Sequence, residues 1–213
     1  MSVKDDRPRR GRQAERSEAT RSALVSAARG LFGERGYADV AAEEIVRAAG
    51  VTRGALYHHF GGKRELLEAV YREVEEEVTR RIAERVLEES AASPLAGMRR
   101  GAALFIEVCA EPEVQRIVLL DAPAVLGWDR WREIAAEYGL GLIEGSLTAA
   151  MEAGELPRRP IAPLAHVLIG ALDEAAMYVA RADDPAAAQA EVYSVLESLL
   201  AGVAEGPGLE SLR

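Results

Sequence analysis

Residues 50–66, GVTRGALYHHFGGKREL, bring together side chains that could bind a polyanion. Arg53, Tyr57, His58 and His59 of this segment supply hydrogen-bond donors. Gly54 and Ala55 are so small that a helix carrying them can approach a base pair closely. At helical spacing the donors share one face, while Leu56 and Phe60 point to the other, apolar side. The segment therefore predicts a helix that reads the major groove of DNA.

Each donor also has a simpler interpretation. Tyr57 could be a core aromatic residue with its hydroxyl satisfied, and Arg53 could be a solvated surface cation. The adjacent His58 and His59 suggest a metal site, but neighbouring helical residues diverge by about 100° and cannot share one ion. We therefore expect no metal and no cofactor.

The elements that would position these residues are two short helices after a longer one. Residues 20–34 carry an apolar stripe and end at glycines, and residues 42–49 form a second helix that Gly50 stops. Thr52 is placed as the N-cap of a third helix, from Arg53 to about Phe60. Two short helices joined by a tight turn predict a helix-turn-helix.

Charge is divided unevenly along the chain. The net charge is −9, yet residues 1–63 hold 12 Lys and Arg against 8 Asp and Glu, whereas residues 64–213 hold 14 against 27. This division is typical of a protein that touches phosphates at one end, although a solvated basic tail would look the same. We expect residues 1–17 to form a flexible arm that binds DNA through the arginines Arg7, Arg9, Arg10, Arg12 and Arg16.

Residues 36–70, GYADVAAEEIVRAAGVTRGALYHHFGGKRELLEAV, resemble the DNA-binding signature of the TetR family of bacterial regulators. The resemblance implies an all-α fold of nine or ten helices, a homodimer, and a C-terminal domain that binds a small-molecule inducer. It also implies roles in DNA binding for residues of the third helix and just after it. Base-reading places fall on Arg53 and Ala55 with His58 beside them, and phosphate contacts on Tyr57, His59 and Lys63.

The sequence departs from the family pattern where the second helix opens. The family commonly has Ser or Thr there, whereas this chain has Val40, Ala41 and Ala42. Either a cap and a phosphate contact are missing, or Asp39 takes over the cap.

The remaining sequence is helical, with proline breaks. We expect a rod from Lys63 to about residue 89, then helices over 95–110, 113–120, 129–153, 161–181 and 186–203. The last two carry apolar stripes that predict a four-helix bundle between two copies, or only an intramolecular core. The domains are then an arm over 1–17, a DNA-binding domain over 18–64, an effector-binding and dimerisation domain over 65–205, and a tail over 206–213.

Large apolar residues and a few polar groups of the C-terminal domain are candidates for an effector site. The apolar candidates predict a small, largely apolar effector. The set is Met98, Phe105, Asp121, Trp128, Trp131, Met151, His166, Glu174 and Met177.

Other functional classes find little support. Cys109 is the one cysteine and has no histidine nearby in sequence, and neither a G-x-S-x-G nor a phosphate-binding loop is present. Since these motifs are absent, we expect no enzyme. No apolar run reaches the roughly 18 residues of a membrane span, so we expect a cytoplasmic protein. The sequence favours a ligand-responsive repressor that binds a palindromic double-stranded operator; the alternative is a helical partner-binding protein without DNA recognition.

Overall fold

A computed structural model describes residues 7–89 and 91–205, and every regular element in these ranges is a helix. The all-α prediction is therefore confirmed. The chain divides into two compact units, Met1–Arg72 and Glu73–Arg213, whereas the sequence analysis placed this boundary after residue 64. Each unit has its own core.

The first unit is built from three helices and the start of a fourth. They are α1 (Arg7–Arg35), α2 (Ala42–Ala48), α3 (Arg53–Phe60) and the first turns of α4 (Lys63–Glu88). Their apolar faces meet in a core in which every side chain is fully buried. This core contains Leu24, Ala28, Phe32, Ile45, Leu56 and Leu66. The helix-turn-helix bounds match the predicted ones to within a residue or two.

The prediction of a flexible arm over residues 1–17 is wrong for residues 7–17, because α1 begins at Arg7 rather than near Thr20. The physical reason lies in residues 12–19, which are rich in Arg, Gln, Ala and Glu, all good helix formers. Pro8 is tolerated because it lies in the first turn. The side chains of residues 7–12 and all of residues 1–6 lie outside the described part of the chain, so the DNA contacts assigned to Arg7, Arg9, Arg10 and Arg12 stay predictions.

Helix α2 begins without a side-chain cap. Its N-cap is Ala41, so Asp39 does not take over the cap as one alternative proposed. The carboxylate of Glu44 instead accepts a hydrogen bond from the Ala41 N–H at 3.1 Å. This bond and a pair with Arg35 at 2.7 Å lower the pKa of Glu44. The helix start thus has one half of a capping box, in which the missing half is a hydroxyl at residue 41.

The second unit contains the rest of α4 and the helices that follow it. These are α5 (Pro94–Cys109), α6 (Pro112–Val114), a π-helical segment (Gln115–Asp121), α7 (Ala122–Leu126), α8 (Trp128–Glu152), α9 (Ile161–Ala180) and α10 (Pro185–Glu205). Helix α6 and the π-helical segment take the place of the single helix predicted over 113–120. The tail assigned to residues 206–213 lies outside the described residues.

Helix α9 corrects the sequence-based statement that no segment is apolar enough for a membrane span. By length and composition Ile161–Ala180 is long and apolar enough to cross a membrane, and 33% of its most apolar window is buried. The prediction was based on uninterrupted apolar runs, and Asp173 breaks such a run without making the helix polar. Asp173 is 5% exposed and bonded to Arg132 of α8, so this side of α9 packs against the protein.

Candidate DNA-binding surface and effector cavity

Helix α3 is fixed at both ends by local contacts that its sequence encodes. The Thr52 hydroxyl accepts a hydrogen bond from the Ala55 N–H at 3.3 Å, as the sequence predicted for an N-cap. At the other end Gly61 adopts φ +84°, a left-handed conformation that favours glycine, and its N–H bonds to the Tyr57 carbonyl. Leu56 is fully buried, which sets the rotation of the helix and turns the opposite side outward.

The outward side of α3 carries most of the residues predicted to touch DNA. Thr52, Arg53, Gly54, Tyr57 and His58 are exposed, and Ala55 and His59 are half-buried. The interpretation of Tyr57 as a core residue does not hold, because 47% of it is exposed. The two histidine rings lie edge to face, with their centroids 5.1 Å apart. The surface formed by residues 52–59 is called the reading face below.

Arg53 is engaged at the surface by two neighbours. Its guanidinium lies 3.0 Å from Glu43 of α2 and donates a hydrogen bond to the Tyr57 hydroxyl at 3.3 Å. The guanidinium carbon also lies 5.5 Å from the centre of the Tyr57 ring. The bond to Tyr57 and the charge of Glu43 raise the pKa of Arg53. Glu43 was not predicted from the sequence, and its carboxylate competes for the donors that would bind a guanine.

Lys63 lies at the start of α4 and is half-buried. Its ammonium donates to the Tyr37 carbonyl at 2.5 Å and lies 3.9 Å from the centre of the Tyr37 ring. This cation is therefore held in place by the turn between α1 and α2. A phosphate contact by Lys63 remains a prediction, and it would add to an existing structural role.

A cavity of about 330 Å³ lies inside the second unit, among α4, α5, α8, α9 and α10. Its volume is near the lower end of the roughly 300–1,000 Å³ typical of ligand pockets. Most of its wall is apolar. The apolar side chains along it include Val78, Ile82, Val86, Met98, Phe105, Leu142, Ile143, Leu168, Ile169 and Leu200.

The structure brings two of the nine predicted effector residues, Met98 and Phe105, to this cavity. Trp128 and His166 line a second cavity of about 360 Å³ with Arg132. The other five lie on neither wall: Trp131, Met177, Met151, Asp121 and Glu174. Trp131 is buried and its indole N–H donates to the Val118 carbonyl at 2.8 Å, so this ring has a structural role.

Two acidic residues of the cavity wall, Glu75 and Asp173, were missed by the sequence analysis. They are only 7% and 5% exposed. A signal for Glu75 existed in the sequence, because Glu75, Thr79 and Ile82 recur at helical spacing along one face of α4. From the sequence this helix was predicted only to be a rod, and no ligand contact was assigned to it.

Asp173 lines both cavities, as does Ile169. Its carboxylate accepts a hydrogen bond from Arg132 at 2.8 Å. Burial raises its pKa to about 7, against the lowering effect of the Arg132 charge. Near neutral pH this carboxyl is therefore a proton-exchanging group within an apolar wall.

Comparison with known proteins gives two family matches that together cover most of the chain. Residues 24–70 match the model of bacterial regulatory proteins of the tetR family, and residues 95–203 match the tetracyclin repressor-like C-terminal domain. The second match alone spans more than half of the chain. The chain belongs to the TetR family. The first match contains the whole reading face, and the second contains the cavity wall from α5 onward.

Similar proteins agree with this assignment. A TetR-family transcriptional regulator from Pectobacterium atrosepticum has a crystal structure that is 35% identical, with a TM-score of 0.79 over 91% of this chain and 98% of that one. The transposon Tn10 TetC protein of Escherichia coli is 28% identical over 68% of this chain and 72% of its own length. This TetR-family protein is therefore a ligand-responsive, DNA-binding transcriptional regulator.

A third relative matches over a shorter stretch. The transcriptional regulator CymR of Pseudomonas putida is 45% identical over 74 residues, which is 35% of this chain and 36% of that protein. The chain thus spans about a third of the length of this relative.

Proposed function

We propose that this regulator is a cytoplasmic homodimeric repressor, which binds a palindromic operator through two reading faces and leaves it when a small, largely apolar effector fills the cavity. The observation that carries the proposal is the reading face itself. It presents small residues and hydrogen-bond donors outward on a helix whose rotation is fixed by a fully buried Leu56. Such a helix suits the major groove, where base pairs present distinct patterns of donors and acceptors.

Exposed apolar side chains on α9 and α10 support a homodimer through these helices. Val167 and Tyr178 of α9 are 64% and 55% exposed, and Val195 of α10 is 64% exposed. Apolar side chains left in water on two packed helices favour association with a second copy, which would form a four-helix bundle. Two reading faces about 34–36 Å apart would then fit half-sites on successive helical turns of a palindromic operator.

The effector step is supported by the course of α4. This one helix carries Lys63 in its first turn and the cavity-lining residues Glu75, Thr79, Ile82 and Val86 further along. A ligand that prefers one position of α4 shifts the population of the whole regulator towards that position. We propose that, in this position of α4, the two reading faces cannot both bind the operator at the same time.

Binding to DNA from the region upstream of the regulator's own gene tests the proposal. Fluorescence anisotropy should show tight binding to one site in this DNA and much weaker binding to a shuffled version of it. The affinity should fall steeply with salt, because phosphate contacts release counterions. Equal affinity for both DNAs would contradict a sequence-specific operator, and no binding would leave the partner-binding alternative.

A further inference from the structure

The first cavity of the second unit is long and narrow. Its lining residues on α4 run from Glu75 to Leu87, which is about 18 Å along the helix axis at the α-helical rise of about 1.5 Å per residue. Those on α8 run from Ala135 to Ser146, about 17 Å by the same measure. A sphere of about 330 Å³ would be only about half as long. The cavity therefore has the shape of a tunnel, which is called the tunnel below.

The tunnel is open at one end of its α4 wall and closed at the other. Leu87, in the last turn of α4, lines the tunnel and is 77% exposed. At the opposite end of this wall Glu75 and Val78 are buried. A ligand can thus enter beside the apolar side chain of Leu87 and extend inwards along α4 towards Glu75.

The polar groups of the wall cluster at the closed end. Burial, and then the charges of Glu75 and Asp173, raise the pKa of the Cys109 thiol, so these two carboxyls lie in one region. Both are already engaged, because Asp173 is paired with Arg132 at 2.8 Å and Glu75 has an interaction within the chain. Thr79 lies one helical turn from Glu75 and also lines the tunnel. Its hydroxyl can both donate and accept a hydrogen bond.

A charged ligand would bind poorly in this tunnel. A charge is costly in an apolar cavity unless it is paired and hydrogen-bonded. The described lining residues include no Lys, Arg or His for an anion, and the carboxyls that could pair with a cation already have interactions within the chain. An uncharged polar group avoids this cost and can exchange hydrogen bonds with the Thr79 hydroxyl.

We propose that the effector of this regulator is an uncharged medium-chain aliphatic molecule, such as a primary alcohol, which lies lengthwise in the tunnel with its polar end at Thr79 and its chain directed towards Leu87. The inference depends on the proposed function for the role of the cavity, and it adds the charge, the shape and the orientation of the ligand. The chain would contact Ile82 and Val86 of α4 and Met98 of α5, which line the tunnel.

Isothermal titration of the full-length protein at neutral pH with octanol, octylamine and octanoate tests the absence of charge. The three probes share one apolar chain and differ in charge. We expect octanol to bind about tenfold or more tightly than either charged probe. Equal or tighter binding of octylamine or octanoate, or no saturable binding of octanol at millimolar concentration, overturns the proposal.

A branched isomer of octanol, trimethylpentanol, tests the shape. The two alcohols have the same formula and the same polar group, but the isomer is shorter and thicker. We expect it to bind about tenfold more weakly than octanol, because a long and narrow cavity accommodates an unbranched chain better. Equal or tighter binding of the isomer overturns the assignment of a slender ligand.

Thr79→Val tests the orientation. The substitution keeps the shape of the side chain and removes its hydroxyl, and the affinity for octanol should fall about fivefold, as expected for one lost hydrogen bond. Thr148→Val is the matched control, because Thr148 lies on α8 outside the tunnel wall, and it should leave the affinity unchanged. An unchanged affinity in Thr79→Val, or an equal loss in Thr148→Val, contradicts the placement of the polar end.

Ala83→Phe tests whether the probe occupies the tunnel. Ala83 is a half-buried lining residue of α4 between Thr79 and Leu87, so a phenyl ring at this position should obstruct the tunnel and weaken octanol binding at least tenfold. Ala149→Phe, at an exposed position of α8 outside the wall, should bind octanol like the wild type. Unaltered binding by a folded Ala83→Phe protein places octanol elsewhere and overturns the proposal.

The titration is performed without DNA, so its failure differs from failure of the proposed function. Octanol that binds in the tunnel without releasing the upstream DNA supports the ligand class and contradicts the coupling. DNA that is bound specifically while octanol does not bind contradicts the ligand class and leaves the DNA-binding function intact.

Discussion

At the scale of single residues, an ion pair with Glu43 engages Arg53, the guanidinium of the reading face. Arg53 was predicted to point outward and does so, but its pairing with Glu43 could not be predicted. The two residues are ten positions apart and on different helices, and no periodicity relates them. The pairing of Asp173 with Arg132 could not be predicted either, because the two residues belong to different helices, α9 and α8. Sequence patterns identify the faces of helices, whereas such contacts between helices depend on their packing.

Glu43→Gln should increase the affinity for specific DNA severalfold. The substitution removes a carboxylate 3.0 Å from the Arg53 guanidinium, so this donor no longer has to leave an ionic partner when it meets a base. Anisotropy titrations against the upstream DNA measure the effect. Glu152→Gln, an exposed residue at the end of α8, makes the same change in net charge and should leave the affinity unaltered. An unchanged or lower affinity for Glu43→Gln would show that Glu43 does not compete with DNA.

Asp173 should make stability depend on pH near neutrality. Its pKa is raised from 3.8 to about 7 in the folded state, so between these values the folded protein holds a proton that the unfolded chain has lost. The contribution of this residue to the free energy of unfolding is therefore present at low pH and falls as pH rises from about 4 to 7. Urea denaturation across this window should give a flatter pH profile for Asp173→Asn than for the wild type.

The control for this experiment is Asp183→Asn, on an exposed residue that follows α9. Its pH profile should be parallel to that of the wild type. Parallel profiles for Asp173→Asn as well would contradict the raised pKa.

At the scale of elements, most helix bounds could be predicted because caps, glycines and prolines mark them locally. Thr52, Gly61 and Ser93 are examples, and Ser93 accepts the Ala96 N–H at 3.3 Å at the start of α5. The exceptions have physical causes. Helix α1 extends to Arg7 because its charged residues are good helix formers in spite of their polarity, and the π-helical segment Gln115–Asp121 has no cap or breaker that would mark it.

The uncapped start of α2 offers a test at this scale. Ala41→Ser should increase the free energy of unfolding by about 1 kcal/mol, because a hydroxyl at this N-cap would accept a hydrogen bond from a first-turn N–H and complete the capping box that Glu44 already half forms. Chemical denaturation measures the change. Ala38→Ser, at an exposed residue before the helix, is the control and should have little effect. Equal changes in both variants would contradict the capping account.

At the scale of the whole molecule, the proposed function depends on a second copy of the chain. The family assignment fits a dimer, and the exposed apolar residues of α9 and α10 are the surface that we propose for it. The sequence predicted these two helices and their stripes, but it could not separate side chains that face the core from those that face a partner. Both kinds are apolar, and only burial in the folded chain distinguishes Leu196 from Val195.

Val195→Glu should convert the dimer into a monomer, since it would bury a charge without a partner in the proposed interface. Light scattering coupled to gel filtration measures the mass. Ala149→Glu, at an exposed position of α8, is the control and should remain dimeric. A Val195→Glu protein that stays dimeric would contradict the assignment of the interface to this face of α10.

The claim that α3 reads bases in the major groove is tested most directly by methylation interference on the upstream DNA. Methylation at guanine N7 modifies the major groove, where Arg53 would bind, whereas methylation at adenine N3 modifies the minor groove. We predict interference at guanines in two symmetric half-sites about one helical turn apart, with one guanine in each half-site becoming insensitive in Arg53→Ala. Interference confined to adenines, or a guanine pattern that Arg53→Ala leaves unchanged, would contradict the account.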